Sequence, residues 1–488
     1  MKNKIKYIIT LSFVLITGLS CKKEYMLPVP QDSISDAIAF DTPDRILQNV
    51  RGLYLNAKGG AFYAGRYIVY GDIRGEDFIN ETGNLVTGAD VWSLNPAGTS
   101  TNSVINLWAQ AYKTINLCNI NIEGITAKGP AVVGATLTNN YLGEARFVRA
   151  LCYYSLLQLY ARPYADGLGT KPGLPLRLTG ITGPGSSDLA RSTVAQVYAQ
   201  IIADLNFAEA NLPLTNASAE LNTTRAHRNT AIALKTRVYL SMQDYPNVIV
   251  EANKIVSAGT TPPFTATTGV AHALQANITT VFTTTFNTTE SIFSFPMTSA
   301  AGDNPGTQNQ LITYFVRSGS AFGTAEYSLN PSGIIGDAGW GATDVRKTNL
   351  IFTNGTKKFV YKYQRTDFLD YAPVMRYSEV MLNLAEALAR TNSATADPRG
   401  LALLKAVRQR SDPSAVIAPT TQAQLITAIL LERRIEFLGE GLRNNDLMRL
   451  LQTIPAKGSV AAKQPTDQGY IWPISATEMS LNKLMVDN

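Results

Sequence analysis

Side chains able to attack a carbonyl or carry a proton near neutral pH are scarce in this chain. Its 488 residues include two histidines, His227 and His272, and three cysteines, Cys21, Cys118 and Cys152. Neither histidine lies in a motif that sets it beside a serine or cysteine nucleophile, and there is no HExxH helix or cysteine cluster to hold zinc. Each reads as a surface or helix-packing residue. Paired carboxylates are the remaining catalytic route, since glycoside hydrolysis needs an acid and a base or nucleophile. The segment GDIRGEDF offers Asp72, Glu76 and Asp77, with Arg74 between them. Three acids in a loop carry no geometry of their own. They could meet sugar hydroxyls, hold a cation or simply solvate the loop, and the last is the preferred reading. No cofactor is expected.

Binding without catalysis fits the residue types better. A carbohydrate has apolar C–H faces ringed by hydroxyls, so its receptor needs flat aromatic rings beside Asn, Asp, Arg or backbone partners. The loop-rich stretches hold both kinds: Trp92, Asn95, Tyr314, Phe315, Tyr327 and Trp340 stand among many small polar residues. A loop aromatic is more often a local core plug than a platform, so each of these carries two readings.

The elements that must position such loops are helices. In RYSEVMLNLAEALAR (376–390), Tyr377, Met381, Leu384, Ala385 and Leu388 form one helical stripe, with Arg376, Glu379, Asn383, Glu386 and Arg390 opposite. Glu386 stands four residues before Arg390, the favourable order for a helical ion pair. So wide an apolar face needs partner helices. Asp397 and Pro398 open one over 401–410, and Thr421-x-x-Gln424 is a capping box opening another, LITAILLERRIEFLGEG. Upstream, DTPDRILQNVRGLYLNA starts a helix from Asp41 or Thr42. Further helices are expected over 104–122, 139–160, 194–212 (after the capping box Thr193-x-x-Gln196), 225–242 and 244–257. The 139–160 helix is apolar nearly all round, which marks burial on several sides. Small/large apolar alternation at roughly 34-residue pacing suggests tetratricopeptide-like helix pairs. The scaffold thus covers about 36–58, 104–258 and 374–455. Loop-rich insertions remain at about 59–103 and 259–373, the second rich in Thr, Ser, Asn and Gly with strand-like SIFSFPM and KFVYKYQ. Long irregular segments in a compact protein are usually functional or disordered, so the binding surface is placed on these two.

Residues 1–20 read as a targeting segment. Lys2, Lys4 and Lys6 precede an apolar run far short of the ~20 residues that span a membrane. Removing them takes away three lysines and no acids, which lowers the formal charge from +6 to +3. No block of like charges occurs, so nucleic acid is not an expected partner. Cys118 and Cys152 lie in apolar helical contexts, where buried thiols are the default and a single disulfide is the alternative. With 45% hydrophobic and 16% charged residues the chain is globular.

Four motifs in order, RYSEVMLNLAEALAR, KAVRQRSDP, ERRIEFLGEGLRNNDLMRL and WPISATEMSLNKLMVDN, resemble the C-terminal half of the SusD/RagB-like outer-membrane nutrient-binding lipoproteins. EARFVRALCYYSLLQLYARPY, RSTVAQVYAQIIADLNFAEANLP and AIALKTRVYLSMQDYPNVIVEANKIV extend the resemblance over nearly the whole chain. It implies a mainly α fold, with helix pairs in a right-handed superhelix carrying a loop-rich, partly β insertion. Gly18-Leu19-Ser20-Cys21 then resembles a lipoprotein cleavage site, with Cys21 lipidated and 21–35 a tether to one domain over 36–488. The implied function is capture of an oligosaccharide at the cell surface and delivery to a TonB-dependent SusC-like outer-membrane transporter. A glycan-degrading lipoprotein enzyme and a peptide-binding scaffold of the same fold are the alternatives. The resemblance places Arg433, Arg434, Glu436, Glu440, Arg443 and Asp446 in the helical core, as structural ion pairs. Some glycan-binding members use a Trp and an Asn at a place and spacing similar to Trp92 and Asn95. Asp72, Arg74, Tyr327 and Trp340 complete the expected ligand-binding set.

Overall fold

The computed structural model describes residues 38–488, apart from 184, 186, 187, 284, 301, 320 and 393. The targeting segment, Cys21 and the 21–35 tether therefore lie outside the described residues. The scaffold begins with α1 (Pro43–Ala57), capped by the Thr42 hydroxyl, and continues through α2 (Arg66–Ile73), α3 (Asn106–Val132), α4 (Gly134–Tyr160) and α5 (Val194–Asn211). After α6 (Arg228–Ser241) and α7 (Tyr245–Ala252) the chain leaves the helices, returning in α8 (Tyr377–Thr391), α9 (Pro398–Ser411), α10 (Gln422–Glu436) and α11 (Arg443–Arg449). From α3 to α8 each helix packs on the next in this order, and α8 also packs on α6, α9 and α10. Both predicted capping boxes form, at Thr193–Gln196 and Thr421–Gln424, and Asp397 accepts from Gly400 N at 2.7 Å. Among the described residues no helix is long and apolar enough to cross a membrane.

Burial of α4 extends to its polar positions, each with a partner. Arg149 forks onto Asp204 of α5 at 2.7 and 2.8 Å, Ser155 meets the Tyr63 hydroxyl at 2.8 Å, and Gln158 donates to the Tyr198 hydroxyl at 3.1 Å. The polar stripe of α8 is buried too. Glu379 receives Arg237 at 2.6 Å, Asn383 receives Arg433 at 2.6 Å, and Glu386 receives both Arg390 and Arg449 at 2.7 Å. Cys118 and Cys152 are buried free thiols.

The structure adds to one expectation and corrects another. The 59–103 stretch, expected to be loop-rich, also holds α2, every residue of which is buried. A helix enclosed on all sides leaves no amphipathic period to read. The LITAILLERRIEFLGEG helix stops at Glu436, and Gly439 and Gly441 turn the chain in the left-handed region at φ 85° and 79°. Short antiparallel pairs tie the two insertions to each other and the second of them to the scaffold. These join β1 (Phe78–Asn80) to β3 (Tyr327–Leu329), and β2 (Ser291–Phe295) to β6 (Ala372–Arg376), the residues leading into α8. A local hairpin joins β4 (Ile351–Asn354) to β5 (Lys357–Val360).

Candidate ligand-binding surface

Trp92 ends a short helix, Ala89–Trp92, that follows the left-handed Gly88 (φ 96°). Its indole Nε1 donates to the Phe78 carbonyl of β1 at 2.7 Å, and Lys457 Nζ lies 5.7 Å from the ring centroid. Of the four tryptophans, Trp108, Trp340 and Trp472 are at most 3% exposed, whereas Trp92 is only half-buried. Its N–H is spent on the backbone, so what it can offer a ligand is apolar ring surface. Two residues on, Leu94 (φ 57°) is driven into a cluster with Leu447, Met448, Ile454 and Tyr470, which pins the loop. Asn95 N donates to Asp90 O at 3.0 Å, and Ser103 ties the Asp90 carboxylate at 2.6 Å. The Asn95 side chain is exposed, and its amide has no partner among the described residues.

The other four expected ligand residues are interior, which corrects their placement on an accessible surface. Asp72 is 2% exposed and accepts from Gly441 N at 2.9 Å; burial pushes its carboxyl up to about 7. Arg74 is 1% exposed and donates to Asn444 Oδ1 at 2.8 Å and to Tyr470 O at 2.6 Å, and burial lowers its guanidinium to about 10. The Tyr327 hydroxyl donates to Thr87 O at 2.9 Å from a fully buried ring. Trp340 packs into the main core with Lys347 Nζ 5.3 Å from its ring. All four lie in the two stretches expected to be loop-rich, but those stretches, α2 included, pack against the helices and are held by contacts that composition does not reveal.

The acids of GDIRGEDF do not solvate a loop either. Glu76 receives Arg443 at 2.6 Å and Arg434 at 3.0 Å, and Asp77 receives Arg434 at 2.5 Å. The ERRIEFLGEGLRNND side chains are thus structural ion pairs, with Arg433 on Asp446 at 2.9 Å and Glu440 on Arg376 at 2.7 Å. Arg434 and Glu436 are not each other's partners; Glu436 instead gathers Arg346, Arg376 and Arg410. His227 and His272 are both buried, with rings stacked 5.4 Å apart.

One contributor that sequence reasoning missed is Lys457. Its Nζ donates to Arg74 O at 3.0 Å, Gly75 O at 2.8 Å and Ile73 O, the carbonyls at the open C-terminal end of α2. Burial, then the nearby Arg74, holds this amine well below the usual lysine range. Gly458 lies against the indole: a Cβ there would stand 3.4 Å from Trp92 Cη2. No local signal marks either residue, since they are hundreds of positions from the loop they support.

Two family profiles match the chain. One, described as "Starch-binding associating with outer membrane", covers residues 27–240, and the SusD family profile covers 314–488. A SusD superfamily protein from Bacteroides fragilis is 30% identical, with a TM-score of 0.80 over 92% of this chain and 99% of its own. SusD-like protein P2 of Formosa agariphila is 23% identical over 99% of both chains. A laminarin-binding SusD-like protein, at 20% identity, superposes with a TM-score of 0.71 over 92% of this chain and 99% of its own. With this mainly helical architecture and these matches along most of its length, the chain belongs to the SusD/RagB-like superfamily.

Proposed function

We propose that the protein binds an oligosaccharide on the surface around Trp92 and Asn95. It passes that ligand to a TonB-dependent SusC-like transporter while tethered to the outer membrane through a lipidated Cys21. The observation that carries the binding role is the state of Trp92. It is the tryptophan with surface left open, its edge is clamped to Phe78 O, and the neighbouring Asn95 amide is unpartnered among the described residues. A clamped ring keeps little rotamer freedom to lose on binding, and a free carboxamide can both donate to and accept from sugar hydroxyls. The laminarin-binding relative and the starch-binding family description support glycan as the ligand class. The transporter and the anchor follow from the resemblance of the chain and its leader to SusD-like lipoproteins.

Calorimetric titration with oligosaccharides cut from laminarin and from starch, beside thermal melts, tests the binding role. Trp92→Ala is expected to lose about 1–3 kcal/mol of affinity, by analogy with base stacking on aromatics. Unchanged affinity with a lowered melting point would make Trp92 a plug and nothing more. Cys21→Ser, expressed in cells without the transporter, is expected to leave the outer-membrane fraction; retention there would show that Cys21 is not the anchor.

A further inference from the structure

A groove of about 550 Å³ opens between the 338–343 loop, α9, the connection after it and α10, and it shares no lining residue with the Trp92 loop. Its apolar wall is built from Leu404, Ile417 and Leu431, and its polar groups are Arg408, Asp412 and Gln424. Two of these are charged and deeply set, Arg408 at 6% and Asp412 at 3% exposure. Each has part of its hydrogen-bonding capacity taken by the protein and part left over. Asp412 Oδ1 accepts from Ser414 Oγ at 2.7 Å and Thr343 Oγ1 at 3.2 Å, while Oδ2 has no partner among the described residues. Arg408 pairs through Nε with Glu432 and donates through Nη1 to Gly339 O at 2.7 Å, leaving Nη2 without a described partner. Gln424 Oε1 accepts from Thr420 N at 2.9 Å and Thr421 N at 3.3 Å at the start of α10, leaving its amide N–H groups uncommitted.

Gly341 keeps the carboxylate open. A Cβ at that position would stand 2.7 Å from Asp412 Oδ2. None of the three groups left over, Asp412 Oδ2, Arg408 Nη2 and the Gln424 amide, is among the buried, unpartnered atoms of the described residues, so each meets water that a ligand hydroxyl can replace. No aromatic ring lines this groove; its aliphatic wall takes that part against an apolar C–H face, and one acceptor and two donors beside it suit hydroxyls that both donate and accept. The Arg408 charge is already met by Glu432, so the set does not call for an anion.

We propose that this groove is a second saccharide-binding site that takes one neutral sugar residue, its hydroxyls donating to Asp412 and accepting from Arg408 and Gln424. The ligand class rests on the glycan-binding reading above; the location does not depend on Trp92.

The test uses the full chain carrying Trp92→Ala, titrated calorimetrically with glucose, galactose, mannose, xylose, maltose and laminaribiose, and with glycine and inorganic phosphate. At least one sugar is expected to bind. Adding Gly341→Ala, which covers Oδ2, or Gln424→Glu, which keeps the capping acceptor and removes the amide donor, should weaken it tenfold or more. Gln424→Glu carries the test should Gly341→Ala fail to fold. Binding of none of the sugars, binding of glycine or phosphate in their place, or sugar binding that both variants leave unchanged would each overturn the proposal. Loss of all glycan binding on Trp92→Ala alone overturns the groove and leaves the Trp92 reading standing. Binding lost only in the groove variants, with Trp92→Ala silent on the longer oligosaccharides, does the reverse.

Discussion

At the scale of single residues, burial decides more than chemical type. His227 and His272 are 0% and 1% exposed, and burial, helped at His227 by the neighbouring ring, lowers them to about 3 and about 4. The unfolded chain therefore binds protons that the folded protein refuses between about pH 6.5 and those values. Stability from this source is full above pH 6.5 and falls as the pH drops, by about 1.4 kcal/mol per pH unit for each histidine. Asp72 and Asp370, raised by burial to about 7 and about 6, act in the opposite sense over an overlapping range. The histidine contribution is therefore read as a difference between proteins. Denaturant melts at pH 7, 6 and 5 should show a His227→Leu/His272→Leu variant losing less stability on acidification than the parent. Equal losses would mean that the two rings are charged in the folded protein.

Between elements, α2 and the turn before α11 meet backbone to backbone. A Cβ on Gly71 would sit 2.1 Å from Gly441 O, and one on Gly441 would sit 2.7 Å from Ile68 O. Backbone meets backbone here, and the Asp72 carboxylate caps the contact on Gly441 N. Gly71→Ala gains up to ~1 kcal/mol of helix propensity, but the clash is with a carbonyl that no rotamer change can move. A net loss of about 1–3 kcal/mol is expected. Gly52 of α1, with nothing within 4 Å of an added Cβ, is the control. Gly52→Ala should stabilise by ~0.4–1 kcal/mol. A Gly71→Ala protein as stable as the parent in urea would show that the two segments do not touch.

Across the whole molecule, the insertion is held to the C-terminal helices by a buried ion-pair network around Glu436. The carboxylate is fully buried and meets Arg346 at 2.7 Å, Arg376 at 2.8 Å and Arg410 at 2.7 Å. Burial by itself would raise this carboxyl, but Arg410, Arg376 and Arg346 together hold it well below the usual range. Glu290, on the loop into β2, shares Arg376 and Arg410, and Lys362 reaches Glu440 from the end of the insertion. Removing Glu436 would take away an acid shared by Arg346, Arg376 and Arg410, leaving their remaining partners Asp344, Glu432, Glu290 and Glu440 a negative charge short inside the protein. Glu436→Ala is accordingly expected to cost about 3–5 kcal/mol. A denaturation midpoint equal to that of the parent would mean that the network is solvated and that the insertion is held by apolar packing alone.

What the sequence determined by itself is what depends on neighbours a few residues apart. The helix stripes, the Thr193–Gln196 and Thr421–Gln424 capping boxes, the Asp397 cap and the Glu386–Arg390 pair all involve residues within four positions of each other or a simple period. The motifs that resemble the SusD/RagB-like proteins were legible for the same reason, as short runs in a fixed order. Tertiary structure alone decided which loop residues face outward. Asp77 finds Arg434 across 357 positions, Arg74 finds Asn444 across 370, and β1 finds β3 across some 250 residues of chain. No local pattern encodes such pairings, so Asp72, Arg74, Tyr327 and Trp340 read as accessible when they are interior. Trp92 and Asn95 differ from them in what covers them: Phe78, 14 positions away, and the remote Lys457 meet the ring, and the amide has no partner among the described residues. Exposure belongs to the packed chain, because what covers a side chain is whichever distant segment the rest of the fold brings to it.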